Sequence, residues 1–330
     1  MRGRTGTCLS GAGYFPAAAR IGWGPVMVMI KRVLALLGSG TLAILLLRQA
    51  ETAAQAVRDG VQLCLTSVIP ALFPFFAVSS LLVALGAAEA AGRALARLFG
   101  RLFRCGGAGC AALLLGLVGG YPVGARTAAE LVRRGELSPA EGARLLTFCN
   151  NAGPAFIIGV AGLTVFGSAR VGAYLYLIHI TAAAAAGVLL RGRHTAEAGT
   201  YRVPSRQSPL SAFLTSVQGA ASAMGRVCAF VVFFLVLLSL AETVTGALPP
   251  WAAGFLELTN GILRLSPTRS GFVTAAALLG WGGLSVHGQT ASVLEGTGLS
   301  MTRYFAGKAV QAALSALLAW GAWHVMTAVA

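Results

Sequence analysis

At 330 residues, with 56% hydrophobic and only 11% charged residues and a mean hydropathy of +0.77, the chain is far too apolar for an ordinary soluble domain. Soluble domains carry about a quarter of their residues charged, so this composition describes an integral membrane protein. The formal charge of +15 excludes no membrane reading: the arginines are scattered between apolar segments without aromatic interleaving or a binding motif, which argues against nucleic acid and for cytoplasmic loops and anionic head groups of the lipid bilayer.

Cys8, Cys64, Cys105, Cys110, Cys149 and Cys228 form no C-x-x-C pair, and His179, His194, His287 and His324 lack metal-ligand spacing. No metal, cofactor or disulfide framework is expected. Asp59 is the only aspartate, which excludes a paired-aspartate intramembrane protease.

Residues 1–28 are Gly/Arg-rich and unpatterned, and read as an N-terminal extension; Met27 and Met29, just before Lys31-Arg32, are candidate natural starts. The apolar run Val33 to Leu47 follows, with no small-x-small cleavage site after it, so a retained first helix with a cytoplasmic N-terminus is expected. Val61 to Leu85 is long enough to span, but Pro70 and Pro74 each remove a helical hydrogen bond, so a distorted helix is predicted. Arg93, Arg97, Arg101 and Arg104 then recur on one face opposite Leu95, Leu98, Phe99, Leu102 and Phe103, which predicts a helix lying in the head-group plane.

Gly106 to Val118 is too short to cross about 30 Å of hydrocarbon and stops at Gly119-Gly120-Tyr121-Pro122, as a re-entrant half-helix would. Ala125 to Arg134 is amphipathic, and Ser138-Pro139-Ala140-Glu141 has the order of a capping box. The polar interruption Cys149 to Pro154 precedes the apolar Ala155 to Phe166, and Val171 to Leu190 reads as a simple spanning helix.

The polar stretch 191–209 separates a first membrane half, 29–190, from a second, 210–330. The second half opens with an amphipathic stretch to Gly225, then Val227 to Ala241, a segment Trp251 to Leu265 carrying Glu257 and Asn260, a half-helix Gly271 to Leu279, a second glycine break and a final helix from Tyr304. Leu278-Leu279-Gly280 aligns with Leu114-Leu115-Gly116 at a spacing of 164, with Gly283 on Gly119 and Gly288 on Gly124. The expected fold is therefore an all-α polytopic membrane protein of two repeated halves with broken, re-entrant helices.

Irregular backbone at bilayer depth survives only where protein or a water-filled cavity satisfies its polar groups, and in secondary transporters such breaks are where substrate sits. A half-helix that starts inside the membrane offers free N–H groups and a partial positive charge. Pro122 to Arg126 and Val286 to Thr290 are the two such ends, and a compact anion held between them is the substrate reading. The competing reading is that Gly119, Gly120, Gly282 and Gly283 simply permit tight helix packing.

Candidate substrate-binding residues are Gly119, Gly120, Tyr121, Pro122, Gly124, Arg126, Asn150, Asn151, Gly283, Ser285, His287 and Gln289. Asn150 and Asn151 could bond substrate or stitch the broken backbone; Arg126 could complement an anion or snorkel. Glu257, with Asn260, is the candidate for proton or cation coupling, with pairing to an arginine or an interfacial position as alternatives. Ser285 and His287 have no G-x-S-x-G around them, so no enzyme is expected.

Pro70-Ala-Leu-Phe-Pro-Phe-Phe76, Gly120-Tyr-Pro-Val-Gly-Ala125, Leu146-Thr-Phe-Cys-Asn-Asn151, Phe156-Ile-Ile-Gly159 and Leu284-Ser-Val-His287 together resemble the sporulation integral membrane proteins of the YlbJ type, within the nucleoside-recognition or Gate-domain membrane family. Where that family often has serines before Gly-Tyr-Pro and after the paired asparagines, this chain has Gly119 and Ala152. The resemblance implies a nucleoside-transporter-like fold and movement of dipicolinic acid across the outer forespore membrane, with a partner channel in the inner one. A non-transporting scaffold for a spore-membrane complex and a nucleoside transporter are the alternatives; oligomeric state stays open.

Overall fold

The computed structural model describes residues 23–105, 107–192 and 208–329, whose regular elements are all helices, with no strand among them. The expected N-terminal extension as far as residue 22 and the core of the polar linker, 193–207, lie outside the described residues. The chain forms two compact units, Met1–Ala50 and Glu51–Ala330, so residues from both sides of the linker share the second unit.

In the first unit, α1 (Trp23–Arg48) is a continuous helix whose Leu34, Leu36, Leu37 and Leu47 are 63%, 72%, 63% and 81% exposed. A helix this apolar with its leucines turned outward is suited to lipid, not water.

The second unit opens with α2 (Ala50–Leu63) and α3 (Ile69–Ala84), joined through one π-helical turn, Cys64–Val68. The turn has a local cause. Pro70 has no N–H to give to the carbonyl of Thr66, and the ladder shifts to i→i+5 just before it, with Ile69 N–H reaching Cys64 O. The predicted distortion is thus absorbed as a π-turn, and Pro74 sits inside α3 without ending it.

The amphipathic α4 (Ala87–Phe103) buries Phe99 and Phe103 and exposes Leu98. Arg104 closes it in the left-handed region (φ 53°), and the direction of the chain turns by 85° between Arg97–Phe103 and α5 (Gly107–Gly119). α6 (Val123–Arg133) and α7 (Pro139–Leu145) follow; Ser138 and Glu141 make both bonds of the capping box. Phe103 stacks on Phe148 with centroids 4.6 Å apart, at the centre of the core beneath α4 to α7. After the Cys149 to Pro154 interruption, the apolar Ala155–Val165 forms a π-helix, and α8 (Ala169–Leu189) packs on it.

Beyond the linker, α9 (Pro209–Thr245) runs unbroken through both predicted segments. Ala169–Leu189 and Pro209–Thr245 are each long and apolar enough to cross a bilayer. The expected Trp251 to Leu265 segment is divided at Glu257 into α10 (Pro250–Leu256) and α11 (Leu258–Leu263). α12 (Arg269–Trp281) and α13 (Gly283–Leu294) flank the second glycine break, and α14 (Met301–Val329) packs along α12 and α8.

Candidate functional site

Both glycine breaks are present. Gly120 (φ +76°) ends α5, and Gly282 (φ +95°) with Gly283 (φ +77°) separates α12 from α13; these are dihedrals that glycine adopts without steric cost. The second starting end lies three residues earlier than the sequence suggests, at Gly283 rather than Val286, because α12 continues to Trp281.

Each break is packed against another interruption. A Cβ on Gly120 would lie 3.0 Å from the backbone nitrogen of Gly153, and one on Gly283 would lie 2.9 Å from that of Leu258. Glu257, beside Leu258, is extended (φ −135°, ψ 114°). The two pairs meet through Tyr121, whose hydroxyl donates to the carbonyl of Leu279 at 3.0 Å. Four irregular segments, two from each side of the polar stretch 191–209, therefore converge.

A cavity of about 50 Å³ opens where they meet, lined by Gly120 and Tyr121, Ala152 and Gly153, Glu257 to Thr259, and Val286 and Gln289, with Phe76 and Phe156 among its apolar walls. It admits water in this conformation. Gln289 is 3% exposed and its Oε1 has no protein hydrogen-bond partner, so an unpartnered acceptor belongs to a residue of the cavity wall. Glu257, 1% exposed, is committed to α11: its Oε2 accepts from Asn260 N at 2.7 Å and from Asn260 Nδ2 at 3.0 Å.

Behind Tyr121 lies a buried polar network centred on Lys308, which has no exposed surface. Its Nζ donates to Tyr121 OH at 3.1 Å, to Asn150 O at 3.0 Å and to Gln311 Oε1 at 2.8 Å. Gln311 Nε2 donates to Asn151 Oδ1 at 2.9 Å, and Asn151 Nδ2 to Phe148 O at 2.8 Å. Asn150 Nδ2 donates to Thr290 Oγ1 at 2.9 Å and Tyr304 OH at 3.3 Å; Tyr304 OH also lies 3.2 Å from His287 Nδ1. The backbone N–H of Ala152 donates to His179 Nε2 at 3.2 Å. Each of these polar groups would be costly in an apolar interior without a partner.

Of the residues singled out from sequence, Gly120, Tyr121, Glu257 and Gln289 line the cavity. Gly119, Pro122, Gly124, Asn150, Asn151, Gly283, Ser285 and His287 are buried around it without reaching its wall. Arg126 is exposed and Asn260 half-buried; neither is on the wall. The open amides expected at the start of α6 are partly spent: Val123 N–H donates to Gly120 O at 2.9 Å and Ala125 N–H to Asn150 Oδ1 at 3.3 Å. Asn150 thus caps α6 from another segment, which is the stitching role. Gly116 and Gly124 face the carbonyl of Cys149, with which a Cβ on either would collide. Close packing therefore accounts for these two glycines.

Sequence reasoning missed Lys308, Gln311 and Tyr304. The signal was present in the final helix: Tyr304, Lys308, Gln311 and Ser315 recur at spacings of four, three and four on one face, and all four have no exposed surface. A polar stripe on an otherwise apolar helix marks the side turned toward protein.

Residues 65–179, which include the first break, both asparagines and His179, match the family model described as Gate, nucleoside recognition. Over 322 aligned residues the chain is 27% identical to the sporulation integral membrane protein YlbJ of Bacillus subtilis (strain 168), covering 82% of this chain and 79% of that protein. Neither match is to an enzyme. No solved structure matches the chain.

Proposed function

We propose that this chain, a membrane protein with a Gate-family segment and a likeness to a sporulation integral membrane protein, transports a small anionic metabolite, with dipicolinic acid during endospore formation as the solute. One observation carries the reading: four broken segments converge on a cavity with polar and apolar walls, and a lysine with no ion pair among the described residues stands directly behind it. Backbone is left irregular within an apolar fold where a cavity or a ligand is to be served, and breaks from both halves at one point suit alternating access.

At about 50 Å³ the cavity is well below the several hundred Å³ of usual small-molecule sites, so the described conformation is a closed one and loading requires the segments to separate. The Tyr121 to Leu279 hydrogen bond is the contact that would break. Glu257 on the cavity wall is the coupling group in this reading, for a proton or a cation. The outer forespore membrane is the proposed location, with a separate channel completing passage across the inner membrane.

The nucleoside reading has its own support in the description of the matched family and in a wall that combines Phe76 and Phe156 with the hydrogen-bonding Tyr121, Thr259 and Gln289. Uptake into liposomes containing only this protein separates the readings. Saturable accumulation of dipicolinate, not competed by nucleosides, is expected; accumulation of nucleosides alone would replace the anion reading, and uptake of neither would leave the scaffold.

A further inference from the structure

Lys308 lies in the interior of a membrane protein, with no exposed surface and no ion pair among the described residues. Its three acceptors are a phenol, a backbone carbonyl and an amide, on three different segments: the first break, the 149–154 interruption and its own helix. The titratable groups around it are Tyr121 on the first break, Cys149 on the interruption, His179 on α8, His287 on α13 and Tyr304 on α14. None is a carboxylate. Glu257, on the cavity wall, caps α11 and is not its partner.

Burying a charge is costly unless a counter-charge accompanies it, so a buried lysine held by dipoles alone gains a stable charged form when an anion joins it. The ammonium stands next to the cavity. It lies 3.1 Å from the hydroxyl and 5.1 Å from the ring centre of Tyr121, a residue of the cavity wall, so a single side chain separates it from a solute in the cavity. The same hydroxyl donates to Leu279 across the two breaks.

We infer that Lys308 is the specificity-determining charge of the central site: the fold sets no carboxylate against its Nζ, Glu257 of the cavity wall being spent on α11, so that the solute supplies the counter-charge, which makes the ligand class a small organic anion. This rests on the transport reading above and names a residue and a charge requirement that it lacks. Tyr121 shields the ammonium while the cavity is empty, and the solute's carboxylate takes over as its partner when the breaks separate.

The test uses purified full-length protein and its thermal stabilisation by pyridine-2,6-dicarboxylate, benzoate and their neutral amides at matched concentrations, since a ligand that binds the folded state raises its apparent stability. Wild type is expected to prefer the carboxylates over the amides by tenfold or more. Lys308→Met should abolish that preference. Gln311→Glu is the second variant: it keeps the shape, places a formal charge at the atom already 2.8 Å from Nζ, and gives up only the donor that Nε2 offers to Asn151 Oδ1. It should weaken carboxylate binding at least tenfold and leave amide binding alone, which a merely structural role would not produce. Carboxylate preference unchanged in both variants overturns the assignment while leaving transport intact. Benzoate binding that depends on Lys308, without any dipicolinate binding, supports the assignment and removes dipicolinate as the solute. Absence of any carboxylate preference in wild type overturns it outright.

Discussion

Tyr121 and Leu279 lie 158 positions apart in sequence and are joined by a 3.0 Å hydrogen bond from hydroxyl to carbonyl, so the residue after the first break closes directly on the end of the helix before the second. Tyr121 also accepts from Lys308. Tyr121→Phe deletes both bonds while keeping the ring. It leaves a buried carbonyl and a buried ammonium each short of a partner, at a cost of about 1–3 kcal/mol for each such group. The expected result is a lower unfolding midpoint in detergent together with faster exchange of solute across the membrane, because the contact that closes the cavity is weakened. An unchanged midpoint would show that the bond contributes nothing to closure.

The seam between α5, α6 and the Cys149 to Pro154 interruption leaves no room for a methyl group. Gly116→Ala and Gly124→Ala would each drive a Cβ into the Cys149 carbonyl, a backbone atom that cannot rotate away. Loss of folded protein in the membrane fraction is expected for both, since overpacking typically costs about 1–3 kcal/mol even where side chains can yield. Gly219→Ala is the control: nothing lies within 4 Å of a Cβ there, and alanine should stabilise α9 by about 0.5–1 kcal/mol. Equal yields for all three variants would remove the packing account of the seam.

Much of this arrangement was legible in the chain because local rules governed it. Ser138-Pro139-Ala140-Glu141 specifies a helix start by reciprocal hydrogen bonds within four residues, and the capping box formed as read. Gly119-Gly120 and Gly282-Gly283 announce breaks because backbone there needs dihedrals that other residues resist, and both breaks are present. The division at Glu257 was not legible: Gly254 and Gly261 weaken a helix on either side of it, but nothing marks Leu256-Glu257-Leu258 itself, and the interruption is held by Glu257 capping α11 and by Gly283 packed on Leu258. Nor was the spending of the α6 amides, because Asn150 reaches Ala125 from 25 positions away and side chains decide such bonds only once the fold has formed. Lys308 was overlooked for a different reason. Read alone it is one charge in an apolar helix; only with Tyr304, Gln311 and Ser315 at helical spacing does it become an inward face.

Gln289 offers a way to change the cavity without weakening the fold. Its Oε1 is buried without a partner, so the native protein already carries the desolvation cost of that acceptor. Gln289→Met keeps the length and removes the polar group, and unfolding in detergent should be unchanged or raised by up to about 1 kcal/mol, since the cost is relieved. Solute binding should fall at the same time if the amide faces the ligand. A drop in stability with binding intact would make Gln289 a structural residue only.

Glu257 separates solute binding from coupling. Its Oε2 holds Asn260 N and Nδ2, and a glutamine at this position can keep both bonds through its own carbonyl oxygen, so Glu257→Gln should preserve the start of α11. What it removes is the one ionisable carboxyl on the cavity wall. If that group carries the coupling proton or cation, the variant should still exchange labelled solute against unlabelled solute between the two sides of a liposome, while gradient-driven accumulation falls to the level of empty vesicles. Accumulation at the wild-type level would move coupling away from Glu257. Loss of exchange as well would instead place the carboxyl in the binding step, where its charge would oppose an anion and favour a neutral solute.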